Sequence, residues 1–123
     1  MDSNAIIDYL GNKLHFTGLG FMNGVVDAVP NISVVTKIEV LGFTASDEHY
    51  KTLSNFINDA IVLDITSNVV EASIEIRKKY KTKLPDAIIA ATALVYDFLV
   101  LISRNVSDFK NINGLKVIDP HSM

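Results

Sequence analysis

The 123-residue chain contains no cysteine. It can therefore form neither a disulfide nor a thiolate metal site, and this composition suits a reducing compartment. The chain also lacks a long hydrophobic run, since its longest nearly apolar stretch, residues 87–96, is about half of a membrane span. Asp2 and Asp8 occupy the place where a secretory signal would carry basic residues. We therefore expect a cytoplasmic protein without a membrane segment.

Glycine and proline are scattered, and the sequence has no repeat, low-complexity tract or linker. Apolar residues make up 49% and charged residues 20% of the chain, which is typical of a globular protein rather than a disordered one. We expect residues 1–123 to form a single domain with a sizeable core. The net charge of −3 provides no general attraction to nucleic acid, which binds proteins mainly through its phosphates.

Apolar periodicity predicts short strands alternating with helices. The predicted helices cover residues 3–10, about 21–29, a segment after 35, a segment capped by Ser46, a segment capped by Thr66 or Ser67 and running to about 80, and a segment beginning at Pro85. The predicted strands are residues 32–35, 61–65, 99–102 and 115–118. Strands that alternate with helices pair in parallel. The expected fold is a three-layer α/β/α sandwich with a mainly parallel central sheet.

Four carboxylates lie at the edges of apolar segments, namely Asp2, Glu39, Asp86 and Asp108. Asp108 follows a predicted strand and Asp86 lies in the first turn of a predicted helix, and open parallel sheets place their sites beyond the carboxyl ends of the strands. Acids that converge there repel each other unless a hard cation such as Mg²⁺ or Mn²⁺ neutralises them. The alternative for each residue is a simple helix-cap, turn or solvated position.

A basic run stands just ahead of Asp86, where residues 77–83 contain five of the eleven lysines and arginines. One interpretation is a helix end whose cations complement the macrodipole and remain in water. The other is a patch that contacts phosphates beside an acidic site.

The segment GLGFMNG lacks the lysine and the serine or threonine of a phosphate-binding loop. The apolar residues in and just before this segment, Phe16, Leu19, Phe21 and Met22, are predicted to belong to the core. The alternative is a hydrophobic groove that accepts a helix or strand of a partner protein.

Three segments in order resemble the PIN domain, the nuclease fold of VapC-type toxins in toxin–antitoxin modules. They are DSNAIIDYL, KLPDAIIAATAL and LISRNVSDFKNINGLKVIDP, and the central IEVLGF fits the second acidic position of that family. The resemblance covers nearly the whole chain. It implies a Mg²⁺- or Mn²⁺-dependent endoribonuclease that forms a homodimer and is neutralised by a cognate antitoxin. The alternatives are a non-catalytic binding or scaffold protein of the same fold and, less well matched, a flavodoxin-like receiver.

The resemblance also implies roles for individual residues. The acidic cluster of the family falls on Asp2, Glu39, Asp86 and the Asn105/Asp108 pair, with Asp108 as the first candidate ligand and Asn105 as support. Asp2, Asp86 and Asp108 would hold the metal, while Glu39 would orient the attacking water or complete a second metal site. Ser3 and Asn4 match small polar residues that line the site. The candidate contacts to the RNA backbone are Arg77, Lys79, Lys81, Lys83 and Arg104.

In this family a strand of several apolar residues precedes the first aspartate and lies centrally in the sheet. Only Met1 precedes Asp2 here. We therefore expect a domain that lacks most of its first strand.

Overall fold

The structure is a computed structural model that describes residues 1–123, and it confirms the predicted α/β class. Seven helices alternate with four short strands and end in a 3₁₀ turn. In chain order the elements are α1 (Ser3–Leu10), α2 (Phe16–Asp27), β1 (Asn31–Ser33), α3 (Val34–Leu41), α4 (Asp47–Asp59), β2 (Ile61–Leu63), α5 (Ser67–Tyr80), α6 (Leu84–Val95), β3 (Val100–Ile102), α7 (Val106–Phe109), β4 (Lys116–Ile118) and the turn Pro120–Ser122.

All strand pairing is parallel, as predicted. Strand β1 pairs with β2, so that Ile32 lies opposite Val62, and β3 pairs with β4, so that Leu101 lies opposite Val117. These pairs form two separate two-stranded sheets. The central sheet of the expected sandwich is therefore present as two halves.

The two half-sheets are joined by the first two residues of the chain. The ammonium group of Met1 donates to the carbonyl of Asn31 in β1 at 3.1 Å, and the Asp2 N–H donates to the carbonyl of Ile102 in β3 at 2.8 Å. Beside this bridge, a cavity of about 400 Å³ lies between the half-sheets and is lined mostly by apolar side chains. The place of the expected first strand is thus a bridge of two residues next to an apolar groove.

The helix starts follow the predicted capping chemistry. The Ser46 hydroxyl accepts from the His49 N–H at 3.3 Å to start α4, and the Thr66 hydroxyl accepts from the Val69 N–H at 3.3 Å to start α5. Each cap satisfies a backbone donor that has no partner within the helix. Pro85 lies at the beginning of α6, as its missing N–H favours.

Helix α2 differs from the prediction because it begins at Phe16 rather than near residue 21. Its glycines do not stop the helix, since packing against the chain end overrides their low propensity. A Cβ on Gly18 would lie 1.9 Å from the carbonyl oxygen of Pro120, so only glycine permits this approach. Met22 is buried, but Phe16 is 93% exposed, and the expectation that Phe16 belongs to the core is wrong. Phe16 is the first residue of α2 and lies on its outer face.

The core is organised around α6, which is apolar on most sides. Its inner residues pack with α5 and β3 in the largest hydrophobic cluster, which includes Val69, Ile76, Ile89, Leu101 and Phe109. A second cluster joins α1, β1, α3 and α4 through Ile6, Ile32, Val40, Leu53 and Ile57. Helices α1, α3 and α6 are thereby fixed by packing, and each carries one of the predicted site acids at or near an end. No helix combines the length and the apolar character that a membrane crossing requires.

Candidate active site

Asp2 is the N-cap of α1 and is only 3% exposed. Its Oδ1 accepts from the Ser3 N–H at 2.8 Å, while its Oδ2 accepts from the Ser103 hydroxyl at 2.8 Å and from the Asn4 side-chain amide at 3.2 Å. Three donors from α1 and from the end of β3 therefore fix the orientation of this carboxylate.

Asp86 lies in the first turn of α6 and is partly buried. Burial raises its pKa above the ordinary range, and the charges of Asp2 and then Asp108 raise it further. The charge of Lys83 acts in the opposite direction. The Asp86 carboxylate therefore lies within the electrostatic reach of two other predicted site acids.

Glu39 lies in the last turn of α3, and its Oε1 accepts from the Ser3 hydroxyl at 3.2 Å. Partial burial raises the pKa of Glu39, the charge of Asp2 raises it further, and the charge of Asp86 contributes as well. The hydrogen bond from Ser3 lowers this pKa but does not cancel the rise. Although most of Glu39 is exposed, its carboxyl end is directed towards the same site as Asp2 and Asp86.

The last pair, Asn105 and Asp108, lies on the exposed segment that leads from β3 through α7. Asp108 joins the acidic group through its charge, which raises the pKa of Asp86. Asn105 joins it through its backbone, since its N–H donates to the Ser103 hydroxyl at 3.0 Å. The structure therefore brings all four predicted acids towards one place, the region where α1, α3, α6 and the end of β3 meet.

The carboxylate oxygens of this cluster suit a hard divalent cation, although the four side chains do not meet at a single point. No three carboxylate or imidazole side chains lie close enough together to hold one metal ion in this arrangement. Carboxylate oxygens are the ligands that Mg²⁺ and Mn²⁺ prefer. Burial raises the pKa of Asp86 and of Glu39, and the neighbouring negative charges raise it further; a cation would offset these charges. Glu39 and Asp108 are exposed, and Glu39 is held by the Ser3 hydroxyl at 3.2 Å.

The basic run occupies the last turn of α5 and its connection to α6. Lys83 is the N-cap of α6, and its charge lowers the pKa of Asp86, so the run adjoins the acidic group at this residue. Other members cap the carboxyl end of α5, as the macrodipole favours. The predicted phosphate contacts in this run are all exposed, namely Arg77, Lys79, Lys81 and Lys83.

Arg104 differs from the other predicted phosphate contacts because its guanidinium forms an ion pair with a carboxylate. Its Nη1 donates to both carboxylate oxygens of the buried Asp8 in α1, at 3.0 and 3.4 Å. Asp8 and Ser103 have no role in the sequence prediction. The available signals are that Ser103 directly follows β3 and that Asp8 stands four residues after Asn4, on the same side of α1.

Comparisons with known proteins identify the family and the fold of the chain. A family model described as the PIN domain matches residues 1–115. A solved toxin–antitoxin complex from Klebsiella pneumoniae contains a chain with 31% sequence identity and a TM-score of 0.75, and the match covers 97% of this chain and 94% of that one.

More distant solved structures show the same fold. A chain of DNA-bound VapBC from Salmonella typhimurium is 22% identical with a TM-score of 0.78, and the match covers 97% of this chain and 95% of that one. A chain of VapBC-1 from nontypeable Haemophilus influenzae is 20% identical with a TM-score of 0.75 and the same coverage, 97% and 95%. A search of curated proteins returned no match.

Proposed function

Because the chain belongs to the PIN domain family, we propose that it is a metal-dependent endoribonuclease and the toxin of a toxin–antitoxin pair. The observation that carries this proposal is the mutual charge interaction of Asp2, Glu39, Asp86 and Asp108. These residues are separated in sequence and come from four different parts of the fold, yet each raises the pKa of another or has its own pKa raised. This interaction favours one shared site over four unrelated cap or turn residues.

Asp2, Asp86 and Asp108 would hold Mg²⁺ or Mn²⁺, directly or through water. When bound, such an ion neutralises the charge that develops on the phosphate and lowers the pKa of a coordinated water. The protein contributes the positions of the carboxylates. Asp2 is fixed by Ser103 and Asn4, and Asp86 is fixed by the start of the buried helix α6.

Glu39 is the best placed group to orient the attacking water and to accept its proton. It lies beside Asp2 and is held through the Ser3 hydroxyl at 3.2 Å. Its raised pKa makes it a stronger base than an ordinary carboxylate. Asn105 supports the site through its N–H bond to Ser103 rather than as a fixed ligand.

The partners of the proposed enzyme follow from its surface and from its relatives. RNA would run past the acidic group onto the exposed basic residues Arg77, Lys79, Lys81 and Lys83, and the enzyme would act in the cytoplasm. The similar chain from Klebsiella pneumoniae belongs to a toxin–antitoxin complex, which supports a cognate antitoxin for this chain. The homodimer is proposed from the family resemblance alone. Phe16 is 93% exposed on α2 and is a candidate contact for the antitoxin.

A second candidate function is a PIN-fold binding or scaffold protein without catalysis. The observation that favours it is that no three acids lie close enough to share one metal ion. In that case the carboxylates would serve only as helix caps and turn residues. The two candidates predict opposite results in a cleavage assay.

The test is RNA cleavage by the purified chain with Mg²⁺, with Mn²⁺ and with a chelator. We expect cleavage to require the metal. In Asp86→Asn the cleavage rate should fall at least about 100-fold, because losing a metal ligand should reduce activity no less than losing a residue that only orients a ligand. Asp59→Asn, which changes an exposed acid at the end of α4, is the matched control and should cleave like wild type. No metal-dependent cleavage by wild type would refute the enzyme and favour the scaffold, and equal cleavage by Asp86→Asn and wild type would refute the proposed site.

A further inference from the structure

The side of α1 that carries Asn4 and Asp8 holds the segment that follows β3. These two residues are four apart and therefore neighbours on the helix surface. Asn4 accepts from the Arg104 N–H at 2.8 Å and Asp8 accepts from the Arg104 guanidinium at 3.0 Å, so both the backbone and the side chain of Arg104 are bound. Arg104 thus attaches the segment to α1 twice, once through its backbone N–H and once through its guanidinium.

The Asp8–Arg104 pair is unlike an ordinary surface ion pair. The side chain of Asp8 is only 5% exposed and that of Arg104 is 50% exposed, whereas the other ion pair, Lys78–Glu75, is exposed on both sides and 4.0 Å long. An exposed pair contributes little, but a buried carboxylate that loses its partner is strongly unfavourable. The pair therefore resists separation, including separation by a phosphate that competes for the guanidinium.

The segment that the pair holds contains one of the two shortest hydrogen-bond donors to the Asp2 carboxylate. Ser103 precedes Arg104, and its hydroxyl donates to Asp2 Oδ2 at 2.8 Å. The amide of Asn4 donates to the same Asp2 oxygen at 3.2 Å and to the Ser103 hydroxyl at 3.4 Å. A continuous network therefore runs from Asp8 through Arg104, Asn4 and Ser103 to the carboxylate of Asp2.

We propose that the Asp8–Arg104 ion pair positions Asp2 by clamping the segment after β3 onto α1, so that Arg104 is a positioning residue and not a contact to RNA. This inference rests on the proposed function, because Asp2 is a proposed metal ligand. It replaces the role expected for Arg104 from the sequence. Groups that orient a metal ligand typically change metal affinity or activity by about 10- to 100-fold.

The test compares Asp8→Asn, Arg104→Gln, Arg104→Lys and the double variant Asp8→Asn/Arg104→Gln. Each protein is examined for Mn²⁺ affinity, for kcat and KM of RNA cleavage, and for RNA binding without metal. We expect each of the two neutral single variants to lose about 10- to 100-fold in Mn²⁺ affinity and kcat, with KM and RNA binding unchanged. The double variant should lose no more Mn²⁺ affinity and kcat than the more impaired single variant, because both substitutions break the same ion pair. Arg104→Lys should recover part of the loss only while Asp8 is present.

The double variant contains no unpaired charge, so it tests the proposal even where a single variant fails to fold. A direct contact to RNA would give a different pattern, in which Arg104→Gln weakens RNA binding while Asp8→Asn does not. That pattern, or Mn²⁺ affinity that all variants share with wild type, would overturn the proposal.

A metal-free measurement separates this proposal from the proposed function. The side-chain amide protons of Asn4 should exchange slowly with water in wild type by NMR and quickly in the double variant, since the clamp holds their acceptors. If wild type neither binds Mn²⁺ nor cleaves RNA but the Asn4 protons respond in this way, the metal function fails and the clamp stands. Asn4 protons that exchange at the same rate in both proteins would overturn the clamp itself.

Discussion

At the scale of single residues, Asp86 determines the balance between repulsion and metal binding. Its carboxylate is disfavoured in the folded metal-free protein by burial and by the charges of Asp2 and Asp108. A cation reverses this balance, because it turns the same negative charges into a favourable field. The residue that destabilises the empty site should therefore be one that binds the metal most strongly.

This balance gives a prediction for the pH dependence of stability. Because the folded pKa of Asp86 is raised, the folded state binds more protons than the unfolded state in the pH range between the ordinary carboxyl pKa of about 4 and the folded pKa. The repulsion is then present at neutral pH and is relieved as the pH falls through the folded pKa. Without metal, Asp86→Asn should melt above wild type at pH 7.5, by roughly 4 °C at most, since a partly exposed charge contributes no more than about 1 kcal/mol.

The check is thermal melting of both proteins, with a chelator, between pH 5 and pH 8. The difference between them should shrink as the pH is lowered to 5. Burial lowers the pKa of the Met1 amino group to about 6, which gives the opposite pH dependence, but this contribution is the same in both proteins and cancels in the difference. A constant difference across the whole range would show that Asp86 is not subject to the repulsion described.

At the scale of elements, the sequence predicts those helices whose ends carry strong local signals. Ser46, Thr66 and Pro85 mark the starts of α4, α5 and α6 because capping and the missing proline N–H act within one turn. The start of α2 differs from the prediction because the contact of Gly18 with Pro120, which is distant in sequence, accommodates glycines within the helix. Local patterns cannot report such a contact.

The residues of the candidate site likewise divide into those that sequence signals predict and those that depend on contacts distant in sequence. Asp2, Glu39, Asp86 and Asp108 could be named from their places at the edges of apolar segments and from the family resemblance. Asp8, Ser103 and the pairing of Arg104 could not, because their partners lie about a hundred residues away in the chain. Polar side chains with distant partners become visible only when the fold brings α1 and the end of β3 together.

The basic run at the end of α5 gives a prediction for RNA binding. Replacing Lys79, Lys81 and Lys83 together by glutamine should weaken binding to RNAs of different sequence by about the same factor, because phosphate contacts do not read bases. The slope of log affinity against log salt concentration should fall by about 2, at about 0.7 for each lost contact to a single strand. Lys37, Lys51 and Lys116, exposed on other elements, provide a control variant of equal charge change. An unchanged slope would mean that the run serves only as a solvated helix end.

At the scale of the whole molecule, the main irregularity is the division of the sheet into two halves. The inner edges of β1 and β3 are linked only through Met1 and Asp2, and the groove beside this link is apolar. Parallel strands are normally paired on both sides and covered on both faces. The half-sheets therefore have room for an additional strand between them.

A variant with four apolar, β-branched residues added upstream of Met1 should be more stable than the chain described here. The added strand would satisfy backbone groups of β1 and β3 and bury side chains in the groove, at about 1.5–3 kcal/mol for each large side chain. Thermal melting checks this, with an extension of Gly-Ser-Gly-Ser as the control of equal length. Equal melting temperatures for the two extensions would show that the groove does not accept a strand.

We propose that Asp2, Glu39, Asp86 and Asp108 form one metal site. Its most direct test is a titration with Mn²⁺ followed by electron paramagnetic resonance, in which free and bound Mn²⁺ are counted separately. We predict saturable binding by wild type and by the control Asp59→Asn, and an affinity at least about 100-fold weaker in Asp86→Asn. Equal affinity and equal stoichiometry in wild type and Asp86→Asn would show that Asp86 is not part of a metal site.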